Sequence, residues 1–177
     1  MIPNKQLTKN FFLHEFLKSQ TAERNPAIKE KQYSPSETIL LNIQTVANSL
    51  QLIRNFWKLP MHITSGYRCP ELNKAIGGSN TSAHTWGGAV DFEPLLKTGE
   101  EAGGEEYLKI AGWIIKNMVW DQLIFEYGTI ECASWLHLGK IPPDKYPKER
   151  KQFLCIGNYT QGKYRNCRIE NGRLIII

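Results

Sequence analysis

Cysteine is scarce: Cys69, Cys132, Cys155 and Cys167 are the only four in 177 residues, and no two stand in a C-x-x-C or zinc-finger spacing. That spacing excludes a thiolate metal cage and gives no disulfide framework, so the four read as structural thiols. One disulfide after release from a reducing compartment stays open. Long apolar runs are missing too. The longest candidate, Trp113 to Trp120, is broken by Lys116 and Asn117, far short of the roughly 20 residues that span a bilayer. The opening Met-Ile-Pro-Asn-Lys shows no basic region followed by an apolar stretch and a small-residue cleavage site. Repeats, low-complexity tracts and linkers are absent, which predicts a single domain over 1–177. Charge of one sign is not concentrated either. The net charge is +5 with 22% charged residues, and the densest basic run, Lys145 to Lys151, reads as a solvated loop. Basic character alone therefore selects no nucleic acid, and none is expected as a partner. What is present is enough apolar side chain, 41% of the chain, to bury a core without staples.

The periodicities give an element order. The first 33 residues read as a loosely structured lead-in with one short helix near Phe11 to Ser19. Ser34-Pro35-Ser36-Glu37 predicts a helix start, with Ser34 as cap, Pro35 in the first position and Glu37 completing a capping box. Ile39, Ile43, Val46, Leu50 and Ile53 then recur at helical spacing, to about Trp57. A strand over Met61 to Thr64 ends at Ser65-Gly66, and a short helix from Pro70 to Ala75 stops at Gly77-Gly78. Ala89 to Phe92 reads as a strand and Glu105 to Met118 as a helix. Strands over Asp121 to Tyr127 and Ser134 to Leu138 follow. In the tail, Gln152 to Ile156 and Tyr164 to Ile177 carry further strand signal, with a hairpin turn at Asn171-Gly172. The apolar Leu174 to Ile177 is expected to be buried in a sheet or an interface. Helices first and strands later predict an α+β domain, a mostly antiparallel central sheet with helices packed on one side.

The stretch Ser82-Ala83-His84-Thr85-Trp86-Gly87-Gly88-Ala89-Val90-Asp91 carries the chemistry. Zinc accepts imidazole nitrogen and carboxylate oxygen, and catalytic sites use three protein ligands with a fourth position for water. His84 precedes a strand, Asp91 lies on it, and Gly87-Gly88 allows a tight turn between them. His137, in Trp135-Leu136-His137-Leu138, is the natural third ligand, with Trp135 on the same strand face. An isolated His and Asp beside glycines is ordinarily turn chemistry or a surface pair, so the assignment needs more than this stretch.

A second segment supplies it. Ser65-Gly66-Tyr67-Arg68-Cys69-Pro70-Glu71-Leu72-Asn73, together with the stretch above and the later Trp135-x-His137, resembles the signature of the LAS-type zinc peptidases. These are the D-alanyl-D-alanine carboxypeptidases and L-alanyl-D-glutamate endopeptidases, with vancomycin-resistance dipeptidases and phage endolysins among them. Their fold is shared with the hedgehog signalling domain. The family's Ser-Gly-Tyr-Arg, Ser-x-His-x-x-Gly-x-Ala-x-Asp and Trp-x-His elements occur here in order, and the resemblance runs from about Leu7 to Leu138. It implies Zn2+ held by His84, Asp91 and His137, with Arg68 gripping a substrate carboxylate. A guanidinium fork suits that task. It further implies Ser82 beside the bound peptide and Trp135 walling the cleft.

The general base departs from the family pattern. Many relatives place an acid three residues before the last histidine, where this chain has Ser134. The segment Trp120 to Glu126 resembles the strand that ends in the corresponding glutamate of hedgehog and related peptidases. Glu126 is therefore the preferred base, with Glu131 as the other candidate. The resemblance implies hydrolysis of a peptide bond in peptidoglycan stem peptides, without choosing between the two bonds. The alternative is a non-catalytic zinc-containing wall-binding or phage structural protein, which Ser134 keeps in play. The expected partner is the wall peptide. With no signal peptide visible, the protein is expected to be made in the cytoplasm and to reach the wall after lysis or delivery, in a phage-encoded setting or otherwise. His14 and His62 take no role. Residues 139–177 form a strand-rich extension to which the resemblance assigns nothing.

Overall fold

The structure, a computed structural model, describes residues 4–140 and 150–177. The expected solvated loop at Lys145 to Lys151 lies outside them except for Arg150 and Lys151. The chain divides into two compact units, Met1–Leu52 with Ser65–Val90 and Ile53–Thr64 with Asp91–Ile177.

The first unit is helical. Three short helices, α1 (Leu13–Leu17), α2 (Gln20–Glu23) and α3 (Pro26–Gln32), precede the long α4 (Glu37–Trp57), whose residues from Ile53 on belong to the second unit, and α5 (Pro70–Ala75) follows later. Helices of four to seven residues do not hold in water by themselves. Here they are capped and buried. The Glu15 carboxylate accepts from Phe12 N–H at 2.7 Å, Ser19 Oγ from Ala22 N–H at 3.2 Å, and Asn25 Oδ1 from Ile28 N–H at 3.3 Å. Phe11, Leu13, Phe16, Leu17 and Ala22 are buried. Helix α1 falls within the short helix expected near Phe11 to Ser19, whereas α2 and α3 correct the expected loose lead-in; the cause is tertiary burial of segments too short to show a helical period. Helix α4 begins two residues later than expected. Ser36 Oγ accepts from Ile39 N–H at 3.4 Å, while Ser34 N–H closes α3 on the Lys31 carbonyl. Its apolar stripe is as expected, with Ile43, Val46, Leu50 and Ile53 buried.

The second unit carries a seven-stranded sheet, whose strands lie in it but for Ser65, Ala89 and Val90. The strands are β1 (Met61–Ser65), β2 (Ala89–Pro94), β3 (Gln122–Glu126), β4 (Trp135–Gly139), β5 (Gln152–Ile156), β6 (Arg165–Glu170) and β7 (Arg173–Ile176), in the order β1-β2-β4-β3-β5-β6-β7. The β3–β4, β5–β6 and β6–β7 pairs are antiparallel and β3–β5 is parallel. The fold is α+β with a mostly antiparallel sheet, as expected.

Register separates the two faces. Glu126 lies opposite Trp135 and Ile124 opposite His137, so these four share one face. Leu154 and Ile156 of β5 continue it. Leu123, Phe125, Leu136 and Leu138 point the other way, the side on which helix α6 (Gly104–Asn117) meets Phe125. Its buried Tyr107 lies 6.5 Å from the Phe125 ring, and Trp113 stacks on Phe56 at 4.8 Å.

Strand β5 is anchored by the buried carboxylate of Asp121. Arg150 donates to it through N–H at 2.6 Å and Nε at 2.8 Å, and Gln152 N–H reaches the Asp121 carbonyl at 2.9 Å. Asn171-Gly172 turns β6 into β7 as the pair motif predicts. Of the final apolar residues, Leu174 is fully buried, Ile175 and Ile176 half-buried, and Ile177 is 63% exposed. This corrects the expected burial of the whole tail; β7 is the edge strand of the sheet, paired on one side only, so its residues after Leu174 stay partly open to solvent. All four cysteines are free thiols. Among the described residues no helix is long and apolar enough to cross a membrane.

Candidate metal centre

His84 sits on a turn of 3-10 helix, Ala83–Trp86, rather than on a plain loop. Three ties shape it. Thr85 Oγ1 donates to the Ser82 carbonyl at 2.7 Å, and Asn42 Nδ2 of α4 donates to the Trp86 carbonyl at 2.8 Å. The turn ends at Gly87 with φ of +75°, where a Cβ would stand 2.9 Å from the Ile39 carbonyl oxygen. Glycine is required there on both counts. The ring of His84 is buried, and its Nδ1 lies 2.6 Å from the Gly66 carbonyl oxygen. A carbonyl only accepts, so Nδ1 carries the proton and Nε2 keeps a lone pair for a cation.

Asp91 and His137 come from strands. Asp91 is buried on β2, and its Oδ1 lies 2.8 Å from His137 Nδ1. His137 is buried on β4. His84, Asp91 and His137 each offer one ligand atom, and these atoms all lie within 4.8 Å of one another. Two imidazoles and a carboxylate, all buried, form the donor set that suits a borderline cation such as zinc, in the three-ligand number typical of catalytic sites. The Gly66 carbonyl fixes the ring of His84, which leaves Nε2 aimed where a cation could be held.

Glu126 ends β3 on the same face as His137. Its Oε2 accepts from Trp135 Nε1 at 3.1 Å, and the Trp135 ring lies 5.1 Å from Tyr127. The indole thereby orients the carboxylate. Ser134 enters through its backbone. Its N–H donates to the Glu126 carbonyl at 2.9 Å, and its own carbonyl accepts from Tyr107 Oη at 3.2 Å. Glu131 is exposed in the turn between β3 and β4.

Arg68 is half-buried. Its Nε donates to Ser65 Oγ at 2.8 Å and its N–H to the His84 carbonyl at 3.1 Å. Ser82 is half-buried at the start of the 3-10 turn, with its N–H on the Ser79 carbonyl at 3.0 Å. Burial pushes the neighbouring Tyr67 hydroxyl up to about 12 and raises the Cys69 thiol. His14 and His62 lie on the surface, facing Asn4 and Glu93 at 3.1 and 2.9 Å.

One residue near this segment escaped the sequence. Gln32, fully buried at the end of α3, donates from Nε2 to the carbonyls of Leu17 at 2.9 Å and Tyr67 at 2.7 Å. Its Oε1 accepts from Cys69 N–H at 2.8 Å. A polar residue in a run of polar residues gives no local signal of burial.

The family model described as peptidase M15 matches residues 9–139 of the chain. No curated protein matches it.

Proposed function

The chain belongs to the peptidase M15 family, and from that premise we propose that it is a zinc-dependent hydrolase of peptidoglycan stem peptides, an endolysin-like D,D-carboxypeptidase or L-Ala–D-Glu endopeptidase. The observation that carries this reading is the buried His84, Asp91 and His137 cluster, with ligand atoms within 4.8 Å of one another. These three residues would hold the metal. Bound zinc supplies a Lewis acid and lowers the pKa of water from about 15.7 towards about 7.

The remaining steps fall to the chain's own side chains. Glu126, steadied by the Trp135 indole, accepts the proton of the attacking water and passes it to the departing nitrogen. Its place on the strand face of His137 supports Glu126 over the exposed Glu131 as the base. Arg68 holds a substrate carboxylate through its guanidinium fork, Ser82 borders the peptide, and Trp135 forms a wall of the cleft. Residues 1–177 act as one peptidase domain in this reading, with β5 to β7 as an extension of the sheet.

The test is mass spectrometry of purified muropeptides after incubation with zinc-loaded protein, beside a chelator-treated control. Metal-dependent loss of one D-alanine, or release at L-Ala–D-Glu, identifies both the enzyme and the bond. Glu126→Gln should keep its zinc and lose turnover. Muropeptides from several wall types left intact by zinc-bound protein would sink the hydrolase and favour a binding or structural role.

A further inference from the structure

Arg68 lies in a segment with little regular structure, yet its backbone is tied repeatedly to the protein between the Gly66 carbonyl and the Cys69 N–H. Gly66 carbonyl meets His84 Nδ1 at 2.6 Å, and Tyr67 N–H meets the Phe16 carbonyl at 2.8 Å. Arg68 N–H meets the His84 carbonyl at 3.1 Å. The two groups that flank Arg68, the carbonyl of Tyr67 and the N–H of Cys69, both end on the single amide of Gln32, at 2.7 and 2.8 Å. The same amide donates to the Leu17 carbonyl at 2.9 Å, at the end of α1.

We propose that Gln32 is a positioning residue for Arg68: one buried amide clamps the backbone on both sides of it and so fixes where the guanidinium meets a substrate carboxylate. This rests on the carboxylate-binding role given to Arg68 above. An amide is the side chain for the task because it is donor and acceptor at once. Glutamate would lose the donor and bury a charge, and methionine would satisfy neither group. A shorter asparagine keeps the chemistry and loses the reach. Gln32 is 0% exposed and lies 35 and 37 residues before its partners, so water offers no substitute clamp.

The effect is on carboxylate recognition, which binding reads without any turnover. The probes are the stem pentapeptide L-Ala–D-isoGlu–L-Lys–D-Ala–D-Ala with its carboxylates free and the same peptide with every carboxylate amidated. Calorimetry gives the ratio of their dissociation constants for zinc-loaded protein carrying Glu126→Gln, which keeps its metal without cutting the peptide and is the reference in which the variants are made. Arg68→Ala should collapse the preference for the free acid. Gln32→Met and Gln32→Asn should each shrink that preference by about 3- to 10-fold, the value of one hydrogen bond, while weakening the amidated peptide little. Gln32→Asn serves where Gln32→Met does not fold. A merely structural Gln32 would weaken both peptides alike and leave the ratio at its reference value. A ratio unchanged in both Gln32 variants but collapsed in Arg68→Ala overturns the positioning role alone. A ratio untouched by Arg68→Ala, or reference protein that binds neither peptide, overturns the reading of Arg68 and this inference with it.

Discussion

The segment that carries Arg68 and His84 and the strands that carry Asp91, Glu126 and His137 are held in place by different means. In the first, position depends on single side chains and close backbone approaches: Gln32 around Arg68, Asn42 on the turn of His84, and Phe16 against Gly66. In the second, strand register sets position. Five consecutive residues of β3 pair with β4 and the same five with β5, so no single bond sets where Glu126 lies. Precision that rests on a few side chains is vulnerable to one substitution, whereas a ladder spreads the loss over many bonds.

The largest expected effect falls on the strand that carries Asp91. Asp91→Ala should lower zinc affinity by more than about 100-fold, the upper end for changes outside the ligand shell. Elemental analysis after dialysis against a mild chelator reads it, and retained stoichiometric zinc would remove Asp91 from the ligand set. Next comes the fragile segment. A Cβ at Gly66 would stand 2.4 Å from the Phe16 carbonyl oxygen. Gly66→Ala should therefore cost about 3 kcal/mol in urea unfolding, and a loss within error would show that α1 yields easily.

The ladder should prove more tolerant. Asp121→Asn keeps the backbone pairing of β5 but weakens the bonds from Arg150, for a loss of about 2 kcal/mol by the same unfolding measurement. A loss larger than that of Gly66→Ala would reverse the contrast between the two regions. The smallest effect is confined to alkaline pH. Burial raises Tyr67 to about 12, above its unfolded value of about 10. Its contribution to stability is thus whole below about pH 10 and is lost as pH climbs through about 12. Ultraviolet titration of phenolate should show a late step that Tyr67→Phe removes, and an ordinary step near pH 10 would mean that the segment opens to water.

Much of this was legible locally. The stripe from Ile43 to Ile53, the helix between Pro70 and Ala75, β5 and the turn at Asn171-Gly172 all follow from neighbours a few residues apart. His84, Asp91 and His137 stood out through the motif resemblance, since among 17 acidic residues and four histidines spacing alone left the assignment open. Helix α1 falls within the short helix expected near Phe11 to Ser19, but α2 and α3 were not legible, since four and seven residues are no longer than one repeat of an amphipathic pattern. Ser34 and Ser36 offered the same capping chemistry, and only the end of α3 decided between them. Asp121 looked like the first residue of a strand; that its carboxylate anchors Arg150, 29 residues on, has no local trace.

By itself the sequence determined the element types, the apolar faces and the set of residues able to take part in metal chemistry, because these depend on spacing along the chain and on side-chain type. Only the tertiary structure decided which carbonyl orients His84, which face Glu126 shares with His137, and that Gln32 grips the backbone around Arg68. Each of those rests on a contact between residues far apart along the chain, where burial and hydrogen-bond satisfaction, not local propensity, select the partner.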